Sequence, residues 1–356
     1  MPGLKIKGYV SNVILAKARA MYGGRLTPQD LAALLGCRSV GEIAAYLKSN
    51  TSYATVLGEV NESSIHRGYL EALLRRKVRQ DYAALCRYDM AGGREMAEYL
   101  LRREVADQIV RCLRLIGAGR SEEYFYTMPL SMLGRVSIDL MKMSRATTFD
   151  ELKEALSGTD YRQILDRYPP AENGTLRIRE IENELYRGVA HYLLHVIDAT
   201  SGELRQQMVD VSGTRMDAQN VTRIFRLKRY FNASPEEIRS NLLPWGGALS
   251  EKVRGQMVEA AAPEEVLDLF YNTPMGRRIP EEQRCHSHDL NIRASFYTAR
   301  HYLRYSIYPM VTLFSYRVVS AVELENIINI IEGVRYGLPP EEIKPVLIMA
   351  EPMGGK

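Results

Sequence analysis

Two groups of side chains have the types and spacing to do metal chemistry. His191 and His195 lie four residues apart, and Asp198 follows one helical turn later. On a helix this places two imidazoles and a carboxylate on one side, a spacing that can bind zinc. The run Cys285-His286-Ser287-His288 places a thiol and two imidazoles within four residues. Each has a plainer reading. The histidines at 191 and 195 sit at the edge of an apolar stripe, where a structural or solvated role is expected. The Cys-His run has no second cluster to complete a coordination shell, and a polar stretch containing Arg277, Arg278, Glu281 and Glu282 precedes it. Neither is therefore expected to hold a metal.

Other chemistry is absent from the motifs. No G-x-x-x-x-G-K-[ST] loop, H-E-x-x-H pair or G-x-S-x-G elbow occurs. The glycines near Gly92 and Gly117 follow no strand, so a dinucleotide fold lacks its context. Lys and Arg number 47 against 43 Asp and Glu, a net charge of +4. That balance is too mild for a nucleic-acid binder. The densest basic run, Arg75 to Arg79, reads as a solvated helix face. No catalytic residue, cofactor or small-molecule substrate is expected.

The elements that must carry the chain are helical. Leu70, Leu73, Leu74, Val78, Tyr82 and Leu85 recur at steps of three and four, the mark of an amphipathic helix. Met96, Tyr99, Leu100, Ile109, Val110, Leu113 and Ile116 continue the pattern, as do Ile178, Ile181, Leu185, Val189, Tyr192 and Val196. Breaks fall at Gly23-Gly24, Gly117-Ala-Gly119, Pro169-Pro170 and Pro339-Pro340. Thr27-Pro28-Gln29-Asp30 and Ser234-Pro235-Glu236-Glu237 read as capped helix starts. Sustained period-two alternation is missing, so the expected class is all-α. Four spread cysteines suggest a reducing compartment. The N-terminus lacks a signal-peptide core, and no apolar stretch is long enough to span a bilayer.

Two internal repeats give the organisation. Glu42, Glu151 and Glu265 are 109 and 114 residues apart. Thr51, Thr159 and Thr273 follow them by 9, 8 and 8 residues, and Leu57, Leu165 and Ile279 each come 6 later. A second element opens at Asn12, Gln108, Asn220 and Asn326, and a new helix start follows each by 14 to 16 residues. The reading is three helical units of about 110 residues. They cover 1–95, 96–205 and 206–315, and a C-terminal segment, 316–356, closes onto the first.

The stretch Glu323 to Ile343, with Asn326, Gly333, Arg335, Gly337 and the pair Glu341-Glu342 in order, closely resembles the C-terminal signature of the C subunit of A-type and bacterial V-type ATP synthases (the d subunit of eukaryotic V-ATPases). Asn220 to Lys228 with Ser234 to Ile238 looks like that family's third unit. Tyr9 to Leu57 resembles its start, and the likeness spans nearly the whole chain. The resemblance implies a three-lobed helical funnel with pseudo-threefold arrangement and no catalytic site. Such a protein sits on the cytoplasmic face of the membrane as a peripheral component. It rests on the proteolipid (c/K) ring, holds the foot of the central shaft (the D and F subunits), and couples proton or sodium transport to ATP synthesis or hydrolysis. Arg19, Arg114, Arg226 and Arg335, the basic positions after each Asn or Gln mark, are expected to face the central cavity or its rim. The competing reading is a helical-repeat interaction scaffold unrelated to rotary ATPases.

Overall fold

The computed structural model describes residues 12–62, 64–86, 93–129, 136–284 and 289–348. All regular elements among them are helices, and no strand occurs there. The chain is all-α, and it divides into two compact units, residues 1–93 with 200–356, and residues 94–199.

The larger unit opens with α1 (Asn12–Gly23), α2 (Pro28–Leu35), α3 (Val40–Asn50), α4 (Ala54–Leu57) and α5 (Arg67–Cys86). The second unit holds α6 (Gly93–Gly117), α7 (Glu123–Thr127), α8 (Leu140–Arg145), α9 (Phe149–Ala155), α10 (Asp160–Arg167) and α11 (Ile178–Asp198). The larger unit resumes with α12 (Gly202–Phe231), α13 (Pro235–Ser240), α14 (Glu251–Glu259), α15 (Pro263–Tyr271), α16 (Pro274–Arg277), α17 (Leu290–Tyr305), α18 (Pro309–Arg335) and α19 (Pro340–Ile343).

Both expected caps form. The Thr27 hydroxyl accepts from the Asp30 amide at 3.1 Å, and the Asp30 carboxylate accepts from the Thr27 amide at 2.7 Å. Ser234 and Glu237 make the same reciprocal pair. These bonds satisfy amides that the first helical turn leaves without partners.

The repeated Glu and Thr are local capping chemistry. Glu42, Glu151 and Glu265 each accept from the amide four residues earlier, that of Arg38, Thr147 and Ala261, at 2.8, 2.7 and 3.0 Å. Thr51, Thr159 and Thr273 each donate back to a carbonyl in or just after the preceding helix, at 2.6, 2.7 and 2.6 Å. The apolar residues that end the pattern, Leu57, Leu165 and Ile279, are all buried. The spacing persists because each residue closes one end of a two-helix corner.

In the larger unit α17 packs between α12 and α18, and α18 also contacts α1 and α5. Ten of the sixteen residues of α17 are buried, which is why its sequence lacks a clean polar face. One apolar core joins Leu31, Leu34, Ile43, Leu47, Leu70 and Leu74 to Leu324, Ile327, Ile331, Ile343 and Leu347. Both ends of the described chain thus share a core. In the second unit α6 and α11 run antiparallel. Arg102 lies over Tyr192 at 4.5 Å, Tyr186 bonds Asp107, and Arg114 pairs with Glu182 at 2.9 Å.

Tyrosines outnumber phenylalanines 22 to 7, and the structure supplies a reason. Tyr46, Tyr53, Tyr302 and Tyr308 each donate to a carboxylate on another helix, on Asp30, Glu323, Asp210 and Glu203 respectively. The ring fills apolar space while the hydroxyl fixes the neighbour.

Candidate functional site

Two of the four Asn and Gln marks, Asn220 and Asn326, are brackets that hold the segment after the corner. Asn326, on α18, donates its side-chain amide to the Ile348 carbonyl at 2.9 Å and accepts from the Ile348 amide at 3.0 Å. Asn220, on α12, makes the same pair with Leu243, both bonds at 2.9 Å. Gln108 is buried and accepts from the Tyr124 hydroxyl at 3.1 Å. An amide suits this task because it offers a donor and an acceptor side by side, matching one backbone residue. Asn12 is exposed at the start of α1 and makes no such bracket among the described residues.

The same helices end in a left-handed residue: Gly119 at φ +67°, Asn232 at +47° and Gly337 at +67°. After Gly119 and Gly337 the next amide folds back onto the last turn, Arg120 to Leu115 at 2.8 Å and Leu338 to Gly333 at 2.9 Å. This closure satisfies helix-end carbonyls and turns the chain sharply. Exposed side chains crowd two of these corners, Tyr230 and Phe231 on α12 and Tyr336 and Leu338 beyond α18.

The four candidate arginines have different settings. Arg19 is half-buried and donates to the Leu303 and Ser306 carbonyls at 2.9 and 2.7 Å, pinning α1 to the end of α17. Arg114 lies in the second unit and forks onto both Glu182 oxygens. Arg335 is exposed, lies over the Tyr336 ring and pairs with Glu332 at 3.5 Å. Arg226 is exposed on α12 and has no bonded partner among the described residues. Within the larger unit Arg19 therefore serves the fold, whereas Arg226 and Arg335 present their charge outward.

His191, His195 and Asp198 are all exposed on α11, while Leu185, Val189 and Val196 of the same helix are buried. No group of three or more His, Cys, Asp or Glu side chains among the described residues could hold a metal ion. Cys285-His286-Ser287-His288 and Gly92 lie outside the described residues. No helix is long and apolar enough to cross a membrane, among the described residues.

Two carboxylates, one buried and one half-buried, escaped the sequence reading. Asp217, on α12, accepts from the amides of Gly246 and Leu249, which fixes the loop after α13. Burial pushes its carboxyl up, and the backbone bonds pull it down. The backbone at Gly246 passes so close to α12 that a Cβ on Gly213 would stand 2.1 Å from the Gly246 carbonyl oxygen. Glu323, on α18, accepts from the Leu26 amide at 2.9 Å and the Tyr53 hydroxyl at 3.0 Å. Burial pushes its carboxyl up, against the pull of those two bonds and of Arg25 and Lys77. Beside it is a cavity of about 30 Å³ lined by Arg25, Tyr53, Lys77, Asp81, Tyr316 and Glu323. That space suits one or two water molecules. Two cations and two carboxylates face it, so no net charge calls for an ion.

The arrangement offers brackets, corners and exposed arginine and tyrosine. Comparison with known sequences supplies relatives. The A-type ATP synthase C subunit of Archaeoglobus fulgidus is 23% identical over 346 residues, 94% of this chain and 95% of that protein. The protein of the same name from Pyrococcus abyssi is 25% identical over 223 residues, 60% of this chain and 58% of that protein. That of Methanosphaera stadtmanae is 21% identical over 348 residues, 94% of this chain and 86% of that protein. The family model described as ATP synthase (C/AC39) subunit matches residues 14–346. With the match running from α1 to the last turn before Leu347, this chain belongs to the ATP synthase (C/AC39) subunit family.

Proposed function

We propose that this chain is the non-catalytic connector of the central stalk in a rotary A-type ATP synthase. In this reading it sits peripherally on the cytoplasmic face of the membrane. One side rests on the proteolipid (c/K) ring, and the other holds the foot of the shaft formed by the D and F subunits. It passes torque between proton or sodium flow and ATP synthesis or hydrolysis. The observation that carries the reading is the family match over residues 14–346. The three repeated Glu-to-amide caps support a division into units 1–95, 96–205 and 206–315, with 316–356 closing the set in a three-lobed funnel.

A torque-bearing part needs stiffness and grip. Helices packed at native density transmit strain. The Asn220 and Asn326 brackets and the Arg19 clamp tie distant segments to the long helices, which suits that demand. Arg226 and Arg335, with the looser candidates Arg19 and Arg114, are proposed to line the cavity or its rim.

The test is a tagged purification from gently solubilised membranes, with the co-purifying chains identified by mass spectrometry. The expected result is a proteolipid and the shaft proteins together with nucleotide-binding chains. Recovery of the chain alone, or with partners outside any ATP synthase, overturns the reading. A double Arg226→Ala, Arg335→Ala variant is expected to lower the coupling of ATP turnover to ion movement. Unchanged coupling removes these residues from the grip.

A further inference from the structure

The corner between α10 and α11 carries an exposed reactive pair. Asn173-Gly174 is the one Asn-Gly step in the sequence. Every other asparagine is followed by Val, Thr, Glu, Ala, Leu or Ile. Residues 172–175 are all exposed, and nothing stands within 4 Å of the place a Gly174 Cβ would take. Gly174 has φ +78°, a conformation that glycine adopts without steric cost.

The chemistry follows from the neighbouring groups. Joining the Gly174 backbone nitrogen to Asn173 Cγ closes a cyclic imide. A side chain on the following residue crowds that approach, and glycine has none. The Thr175 amide donates to Asn173 Oδ1 at 3.0 Å, which draws electrons from Cγ and makes it the better electrophile. One arrangement opposes the reaction. The Gly174 amide, whose nitrogen must attack, donates to the Ala171 carbonyl at 2.8 Å, and the Ala171 amide donates to the Thr175 carbonyl at 2.9 Å. Both bonds are local to an exposed turn. It opens without disturbing α10 or α11, which Arg167 and Glu184 hold together at 3.1 Å. Asn232 is the nearest rival, exposed and left-handed at φ +47°. Alanine follows it, and the Ala233 amide is spent on the Leu227 carbonyl in the last turn of α12.

We propose that Asn173 is a self-modification site: opening of the Ala171–Thr175 turn lets the Gly174 nitrogen attack Asn173 Cγ, and the chain converts this asparagine to aspartate and isoaspartate ahead of every other asparagine. The steps balance with water alone. The Gly174 amide gives its proton to solvent and the N–Cγ bond forms. The Cγ–Nδ2 bond breaks, and Nδ2 leaves as ammonia. Water then opens the imide. Cleavage between the nitrogen and Cγ gives aspartate. Cleavage between the nitrogen and the Asn173 main-chain carbonyl carbon gives isoaspartate, whose backbone runs through Cβ and Cγ and is one carbon longer. Nothing is oxidised or reduced. Both products add a negative charge shortly before α11, where a helix start receives it well. Isoaspartate also alters the chain length between Ala171 and Thr175 and so loosens the turn. The inference is independent of the connector reading, since it needs no partner.

The experiment uses the full chain, held at mildly alkaline pH either folded or in urea and sampled over time. Peptide mass spectrometry locates each converted asparagine. A protein isoaspartyl methyltransferase with labelled S-adenosylmethionine counts the isoaspartate through its free α-carboxylate. In the folded chain the first conversion is expected at position 173. Its rate is expected to be about ten to a hundred times below that in urea, the restraint that two hydrogen bonds impose. Asn173→Gln, which must close a larger and slower ring, is expected to lose the methyl-accepting signal at an unchanged melting temperature. First conversion at another asparagine overturns the proposal, as does an intact Asn173 in the folded chain when the urea sample has fully converted. Equal rates in the two samples remove the turn from the mechanism and overturn it as well, and so does an undiminished methyl-accepting signal from the glutamine variant.

Discussion

Tyr53 donates its phenolic hydrogen to the half-buried Glu323 carboxylate at 3.0 Å across 270 positions of sequence. The same carboxylate receives the Leu26 amide. One acidic group on α18 thereby fastens the start of α2 and the start of α4. Tyr53→Phe leaves one carboxylate oxygen without that bond and is expected to cost about 1–3 kcal/mol. Urea unfolding of both proteins measures it; an unchanged midpoint shows that the clasp contributes nothing.

The same group gives a pH signature. Burial holds the Glu323 carboxyl above its ordinary value in the folded chain. The native state therefore binds this proton more readily than the unfolded chain does. Its contribution to stability is complete below the unfolded carboxylate pKa of about 4.3 and is lost as pH rises through the folded value. Relative to Glu323→Gln, which cannot titrate, the parent is expected to lose stability as pH rises across that window. Parallel stability curves for the two proteins count against this account.

The brackets predict a contrast between equivalent-looking asparagines. Asn326→Ala removes two bonds and strands the buried amide and carbonyl of Ile348, at an expected cost of about 2–4 kcal/mol. Asn12→Ala, at an exposed position, is expected to stay within about 0.5 kcal/mol of the parent. Equal effects would show that the sequence mark, and not the bracket, matters.

Two glycines should respond in opposite directions. Gly213→Ala drives a methyl group against the Gly246 backbone, and both sides are main chain that cannot swing away. A loss of about 3 kcal/mol or more is expected. Gly188 sits inside α11 with nothing near its missing Cβ, so Gly188→Ala is expected to gain about 0.5–1 kcal/mol. Thermal unfolding of the two variants checks both signs.

Cys112 is buried, and burial pushes its thiol up to about 12. At pH 8 only about one molecule in ten thousand carries the thiolate. Alkylation of the native protein, read by peptide mass spectrometry, is expected to spare Cys112 until urea opens the unit. Labelling in folded protein at the rate of a free thiol would contradict the packing.

The helices and the recurring Glu caps were legible in the sequence because their causes are local. Glu42, Glu151 and Glu265 must stand four residues after the amide they capture, so their spacing is fixed by helix geometry. The uses of Asn220 and Asn326 were not legible, because Leu243 and Ile348 reveal themselves only once the corner has turned. Arg19 and Arg226 read alike in the sequence. One is held by carbonyls 284 and 287 positions away and the other faces out. Asp217 and Glu323 left a fainter signal, acids on otherwise buried faces of long helices. Gly213 passes for an ordinary helical glycine until the crossing with Gly246 is seen.

The apolar core that unites Leu31 to Leu74 with Leu324 to Leu347 sets a schedule for biosynthesis. The first helices leave the ribosome roughly 250 residues before the isoleucines that complete their core. At about 5–20 residues per second this is a wait on the order of ten seconds to a minute. Throughout that interval Leu34, Ile43, Leu47 and Leu74 have part of their apolar surface uncovered. The nascent chain is a natural client for chaperones, and its N-terminal helices are committed last although they are made first.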